Sequence, residues 1–306
     1  MSVLAIFAAL VIEQWRPLGE RKGVSAALAA WATWLERSFN DGERQHGTVA
    51  WLVAVLPPVA AALVLYAALS AAGWLAALAF DIALLYLTLG FRQFSHYFTD
   101  IQLAIKSGDV ERARALLEQW RGASGVTRSR EEVIRLTIEQ ALVAAHRHVF
   151  GVLLWYLLLP GPAGAILYRL AAYLAARWRN MGAFGRFAER AFHVLEWPAV
   201  RLTAAAFALV GDFENTVYCW RTQARAWHDP DAGIVLAAGA GAMGVRLGMA
   251  VQEVDGLQPR PELGVGEEAD GPFLDTTVGM LWRSVVLWVG VLAGAALVAA
   301  IARIGS

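Results

Sequence analysis

From Ser284 to Ala302 the chain runs without a single charged residue, and Arg283 and Arg303 bracket the run. A helix needs about 20 mostly apolar residues to cross a bilayer. Basic side chains belong at the ends of such a helix, where they reach the interface. This one segment restricts the fold more than any other feature. It predicts a membrane-spanning helix near the C-terminus.

The composition extends that reading to the whole chain. Hydrophobic residues make up 58% of the 306 residues and charged residues 17%, with thirteen tryptophans. Soluble domains hold roughly 45–50% apolar and about 25% charged residues. The excess excludes a disordered chain and a disulfide-stapled secreted domain. Lys and Arg total 26 against 26 Asp and Glu, so no global field attracts nucleic acid. One cysteine, Cys219, forms no intramolecular disulfide. The N-terminal run MSVLAIFAALVIEQW has no basic residue before it. It reads as a retained helix, not a cleaved signal. The predicted class is an all-α, polytopic helical membrane protein with a cytoplasmic helical segment and broken or short central helices.

Two further apolar stretches lie between Val49 and Phe91. Pro57 and Pro58 fall inside the first, and Ser70 to Gly73 breaks the two into a hairpin. Val149 to Ala176 is apolar but interrupted by Pro160-Gly161-Pro162 and by Arg169. It reads as one broken span or two half-spans. Ala191 to Val210 contains Arg201, and the short, glycine-rich Ile234 to Met249 contains Arg246. Broken or charged helices are tolerated where they line a cavity.

Two regions are polar. Arg92 to Arg147 carries nine Lys/Arg and seven Asp/Glu and reads as two soluble helical stretches. Phe94, Phe98, Ile101 and Ile105, then Ala113, Leu116, Leu117 and Trp120, recur near a 3.6-residue period. Ser107-Gly108-Asp109 interrupts the pattern, with Asp109 an N-cap for Val110 onward. Glu131 to His148 resumes as helix. Gln252 to Asp275 sets Arg260 against seven acids and reads as a long irregular loop. The expected divisions are N-terminal membrane helices at 1–91, a cytoplasmic segment at 92–147, a central core at 148–251, an acidic loop at 252–280 and a last span at 281–306. The arginine-rich regions belong in the cytoplasm by the positive-inside rule. The implied location is a bacterial-type inner membrane, crossed several times.

Several polar groups are candidate ligand-binding residues. Arg92 and His96 lie one helical turn apart, with Asp100 a further turn on. Arg binds oxyanions and His moves protons near neutral pH, but interfacial pairing is an equal reading. His146 and His148 flank Arg147 and point to different faces, which argues against a shared metal. Glu139 lies seven residues before His146 on the same face and is placed to pair with it. Asp212, Glu214 and Asn215, followed by Arg221, form the densest polar cluster beside an apolar run. Carboxylates with an amide suit a polar ligand or a hydrated cation, and an amphipathic surface helix is the competing reading. Arg169, Arg201 and Arg246 suggest a cavity with an anionic occupant, or else pairs with Asp81, Asp212 or Glu196. Gly290 and Gly294 give a G-x-x-x-G spacing, compatible with ordinary bundle packing or with a homo-oligomer. Gly239, Gly241 and Gly244 sit in helical surroundings, so they read as packing residues and not as a dinucleotide loop. No protein metal site is predicted.

The order of GDVERARALLEQW, EEVIRLTIEQALVAAHRHVFGVLLWYLLLPGPAGAILYR, WPAVRLTAAAFAL and AGIVLAAGAGAMGVRLG resembles the CobD/CbiB family of cobalamin-biosynthesis membrane proteins. The resemblance covers about Phe91 to Gly264. It implies an amide synthetase that joins adenosylcobyric acid to aminopropanol or its phosphate. It implies ATP and a divalent cation if that activity is retained. It implies a lipid bilayer and an anionic or corrinoid small molecule as partners. Positions kept with the family are Asp109, Glu139, Tyr168, Arg169, Arg201, Arg246 and Gly248. The family's V-E-x-x-A-E-N-x-x-D element keeps Glu139, but its A-E-N…D part falls on AAHRHVFG from Ala144 to Gly151. Its N-terminal G-D-P…H-P-V element is replaced by Ile12 to Leu18. HVFGVLLWYLLLPGPAGAILYR and FALVGDFENTVYCWR are similar to the AmpE branch, which implies non-catalytic signalling or ligand binding. Catalytic residues stay unassigned.

Overall fold

The computed structural model describes residues 2–15, 22–40, 44–122, 129–253 and 256–304. Helices dominate throughout. The chain divides into two compact units, the first built from residues 1–92 and 147–198 and the second from 93–146 and 199–306.

In the first unit, α1 (Ser2–Trp15) packs on α4 (Trp74–Thr88), and α2 (Lys22–Phe39) packs on α3 (Arg44–Ala72). The break between α3 and α4 falls at Gly73, as the sequence predicts. Pro57 and Pro58 lie inside α3, which continues through them. A short helix, α8 (Gly151–Leu158), ends before Pro160-Gly161-Pro162, and α9 (Ala163–Trp178) starts after it. The chain therefore breaks at this turn, where the sequence interrupts the apolar run. The core is made by Leu35 of α2, Trp51 and Val55 of α3, Leu174 and Trp178 of α9, and Phe184. Close approach depends on missing side chains. A Cβ at Gly47 would lie 2.1 Å from the Phe184 carbonyl oxygen, and one at Gly164 would lie 1.8 Å from that of Trp155. Glu36 accepts bonds from both Arg177 and Trp178, at 2.6 and 2.9 Å, and so ties α2 to the end of α9.

In the second unit, α5 (Phe91–Lys106) buries Phe94, Phe98, Ile101 and Ile105. Asp109 caps α6 (Val110–Arg121) by accepting from the Arg112 amide, and Ser129 caps α7 (Arg130–Ala145) in the same way. A π turn at His146–Phe150 follows α7. The long helix α10 (Arg186–Val210) contributes its C-terminal part, and α11 (Phe213–Thr222) packs on α12 (Pro230–Met243). The glycine-rich α12 is a packing helix. Gly241 faces the backbone at Asn215 and Thr216, and Gly239 faces Leu142 of α7.

The region after α12 departs from the expected loop. Five short strands form there: β1 (Val245–Gly248), β2 (Val251–Glu253), β3 (Gly256–Gln258), β4 (Glu262–Leu263) and β5 (Glu267–Glu268). β1 pairs antiparallel with β4 and parallel with β5, while β2 and β3 form a hairpin. The last helix, α13, spans Gly271–Ile304 and so starts ten residues before the expected boundary at 281. The prolines and glycines that suggested an irregular loop instead turn the chain between strands. Positive φ at Gly264 and Gly266 lets them press on the carbonyls of Val245 and Gly244.

Among the described residues three helices are long and apolar enough to cross a membrane: Gln45–Ala72, Arg130–Leu158 and Gly271–Ala295. The first and third expose most of their apolar surface, as do Val64, Leu65, Val286 and Val291. Such faces suit lipid. The second is two-thirds buried, at 67% against 17% and 22%. The sequence placed Glu131 to His148 in a soluble helix. That helix continues to Leu158, with Arg130 paired to Asp270 and Glu139 to Arg260. The fold is an all-α, polytopic membrane protein with a small strand cluster.

Candidate functional site

The densest set of buried polar contacts in the second unit centres on Glu139. α7 carries Arg135 and Glu139 one turn apart, and β1 and the segment before β4 supply Gly248 and Arg260. Arg260 Nη2 donates to both Glu139 oxygens, at 2.7 and 2.6 Å. The Gly248 amide donates to Glu139 Oε1 at 2.8 Å, and Arg260 Nη2 also reaches the Gly248 carbonyl at 3.3 Å. Glu139 is only 6% exposed. A buried charge of this kind is tolerated only when paired and hydrogen-bonded. The Arg260 guanidinium lies 4.8 Å from the ring centroid of Trp227, a cation–π contact. Arg135 Nη2 donates to the Ala250 carbonyl at 3.4 Å.

The backbone at this point is tight. Gly248 has φ +77° and Met249 has φ +62°. A Cβ on Gly248 would lie 2.0 Å from the Pro261 carbonyl oxygen. Left-handed Met249 is uncommon for a residue of its type. Gln223 holds the far end of the strand cluster. Its amide donates to the Gly264 carbonyl at 3.1 Å and accepts from the Gly264 amide at 2.6 Å. Arg246, on β1, bonds Glu268 at 3.1 Å and Glu262 at 3.5 Å.

A separate cluster lies in the first unit. Arg169 Nη1 lies 2.9 Å from His148 Nδ1. A guanidinium has no acceptor, so Nδ1 accepts and the proton of neutral His148 sits on Nε2. Arg147 Nε donates to buried Glu196 at 3.4 Å, with its guanidinium 5.9 Å from the Phe192 ring centroid. Tyr168 is fully buried, and its ring occupies the space that a Cβ on Gly151 would need. Arg147 and His148 both belong to the π turn. Such turns recur at functional sites because they re-aim side chains.

These positions correct several expectations. Glu139 pairs with Arg260 and not with His146, whose Nδ1 lies 2.9 Å from Thr203 Oγ1. His146 and His148 do take different partners, as their spacing requires. Arg246 is not at the end of a span, because α12 stops at Met243 and the arginine lies on a strand. Glu196 pairs with Arg147, and Asp81 accepts a bond from Tyr156 at 3.1 Å. Arg201 is half-buried on α10. Asp212 is the N-cap of α11 and binds both the amide and the side chain of Asn215. Glu214 and Arg221 are exposed. His96 is exposed beside Tyr97, and the side chain of Arg92 lies outside the described residues. So do Arg16, Pro17 and Leu18 of the N-terminal element. Gly290 and Gly294 have open space at their Cβ positions.

Sequence reasoning missed Arg135, Trp227 and Arg260. Arg260 stood out as the lone base among seven acids, a signal that was available. Burial raises the pKa of the Cys219 thiol. No three His, Cys, Asp or Glu side chains among the described residues come together as a metal-holding group.

The matching family model, CobD/Cbib protein, covers residues 6–272 and so takes in both clusters. The chain belongs to the CobD/CbiB family. It is 35% identical to a cobalamin biosynthesis protein CobD of Stutzerimonas stutzeri, over 95% of this chain and 97% of that protein. It is 38% identical to a protein of the same name in Chromobacterium violaceum, over 72% of each chain. A third, from Mycobacterium tuberculosis, is 34% identical over 64% of this chain and 63% of its own. No solved structure matches. The local AmpE likeness gains no support from these CobD/CbiB relatives.

Proposed function

We propose that this protein acts in cobalamin biosynthesis as an inner-membrane amide-forming enzyme. It joins the carboxylate of adenosylcobyric acid to the amine of aminopropanol or its phosphate. The observation that carries this reading is likeness to a CobD protein along 95% of the chain. The polar clusters fit its chemistry. The corrinoid carboxylate and the phosphate of aminopropanol phosphate are oxyanions, and guanidinium forks bind carboxylate and phosphate through paired N–H donors. Arg147 and Arg169 supply such donors in the first unit. In the second unit Glu139, Arg260 and Gly248 hold the strand cluster on α7.

A second reading is a non-catalytic, AmpE-like ligand-binding or signalling protein. One observation favours it: Glu139 and Asp212, the best candidate carboxylates, are both committed to hydrogen bonds within the protein. Neither is poised to take a proton from an amine.

The test uses the full chain in lipid nanodiscs. It is incubated with adenosylcobyric acid and aminopropanol phosphate, with and without ATP and Mg²⁺. Mass spectrometry should find a corrinoid heavier by the amine minus one water, formed only when the protein is present. Corrinoid binding with no such product would replace the first reading by the second.

A further inference from the structure

One end of the first unit gathers indoles and arginines. On α2, Trp31 and Trp34 stack at 5.2 Å with their planes 20° apart, and both are exposed, at 39% and 50%. Indoles of this kind suit a membrane interface, where an apolar ring meets a wet boundary. Arg37 follows Trp34 by three residues, so the two are neighbours on the helix surface. The adjoining elements fix the level. Thr33 and Glu36, on either side of Trp34 in the chain, both bond Arg177 at the end of α9. Phe184, in the turn between α9 and α10, lies against Gly47 at the start of α3, and Trp51 meets the Phe187 ring edge-on at 5.4 Å. From Gln45 onward α3 is long and apolar enough to cross a membrane, and it exposes Leu52 and Leu56 directly beyond Trp51. The indoles therefore lie level with the end of a span. We propose that this end of the first unit docks the headgroups of acidic phospholipids, with Trp31 and Trp34 set in the interface and Arg37, Arg179, Arg186 and Arg190 supplying the charge.

Charge decides the kind of lipid. From Arg177 to Arg190 the chain carries four arginines and one acid, Glu189. Glu36, the acid nearest the indoles in the chain, is already held by Arg177 and Trp178. Arg179, Arg186 and Arg190 are exposed and have no carboxylate partner among the described residues. Arg37 is exposed in the last turn of α2. A basic cluster at the edge of a span attracts anionic lipid, and each cation contributes while it stays within a Debye length of the surface. The base beneath is packed, since Leu35, Trp178, Phe184 and Ala188 are buried in one core. A soluble phosphate would engage the arginines alone, whereas a lipid engages arginines and indoles together. A second copy of this chain would bring its own arginines to the same face, which like charge opposes.

The test needs no turnover, so it stands apart from the reading given under Proposed function. Full-length protein in an uncharged detergent is titrated with phosphatidylglycerol or with phosphatidylcholine of the same acyl chains, and bound lipid is counted by native mass spectrometry. Phosphatidylglycerol should bind the parent more tightly. Arg186→Gln and Arg190→Gln should each lower that preference about fivefold, in keeping with the loss of one interfacial cation. Arg112→Gln, at an exposed position on α6, should leave the preference unchanged. A second measurement reads the indoles. In vesicles of phosphatidylcholine brominated close to the headgroup, the quenched fraction of tryptophan emission should fall when Trp31→Phe and Trp34→Phe are combined. The exposed arginine positions keep the test readable if that double variant does not fold. Equal affinity of the parent for the two lipids, an equal loss in Arg112→Gln, or unchanged quenching in the folded double variant overturns the proposal. Displacement of the lipid by soluble glycerol phosphate at equal concentration overturns it in favour of a free phosphate. Dimers that Trp34→Ala dissociates, with no lipid preference, overturn it in favour of a second copy.

Discussion

Glu139 and Arg260 are 121 residues apart in the chain and meet at 2.6 Å. Their pairing fastens the strand cluster to α7. Removing one partner of a buried pair leaves an uncompensated charge, at a cost of about 3–5 kcal/mol. Glu139→Ala is expected to lower the unfolding midpoint in detergent and to speed amide exchange through residues 245–264. Replacing both partners, as in Glu139→Leu with Arg260→Met, should recover most of the loss. If Glu139→Ala exchanges like the parent, the pair does not hold the cluster.

Gln223 reads the backbone of Gly264 through two bonds. Gln223→Ala removes both and leaves the amide and carbonyl of buried Gly264 without these partners. The expected loss is about 1–3 kcal/mol in chemical unfolding. Gln223→Glu keeps the acceptor but loses the donor, so it should lie between the two.

Gly164 sits where α8 and α9 cross, with the Trp155 carbonyl in the space of its missing side chain. Backbone cannot retreat as a side-chain tip can. Gly164→Ala is expected to destabilise by about 1–3 kcal/mol or more. Gly279→Ala, on α13 with open space around it, is the matched control and should be neutral or slightly stabilising. Thermal unfolding of the two variants side by side gives the comparison.

Asp270 caps the start of α13 and pairs with Arg130 at 2.6 Å. The Gly271 amide, and then Arg130, hold its carboxyl below the ordinary carboxylate range. The folded value is lower than the unfolded one, so its contribution is present above the ordinary pKa of about 3.9. It is lost as pH falls through the depressed folded value. Asp270→Asn should therefore lower stability at neutral pH, flatten the acid limb of the stability–pH curve, and converge on the parent below the depressed folded value. An unchanged acid limb would show that the cap carries no linkage.

Much of the helical framework was legible because its signals are local. Gly73 ended one apolar run, Pro160-Gly161-Pro162 split another, and Asp109 and Asp212 cap the helices that follow them. The strand cluster was hidden for a physical reason. Its strands are two to four residues long, too short to display a period-2 pattern. They are held by distant groups: Gln223 on the α11 side, Glu139 on α7. The site was half legible for the same reason. His148 and Arg169 lie 21 residues apart and Glu139 and Arg260 lie 121 apart. Spacing along one helix suggested Glu139 with His146, but tertiary partners decided otherwise.

The carboxylate of Glu36 receives two bonds from a cation, Arg177, and one from a neutral indole, Trp178. Added electrolyte weakens the Arg177 bonds by shielding and leaves the Trp178 bond almost untouched. The junction of α2 with α9 thus has a reserve fastening that is indifferent to ionic strength, one that holds when the charged bonds beside it are shielded.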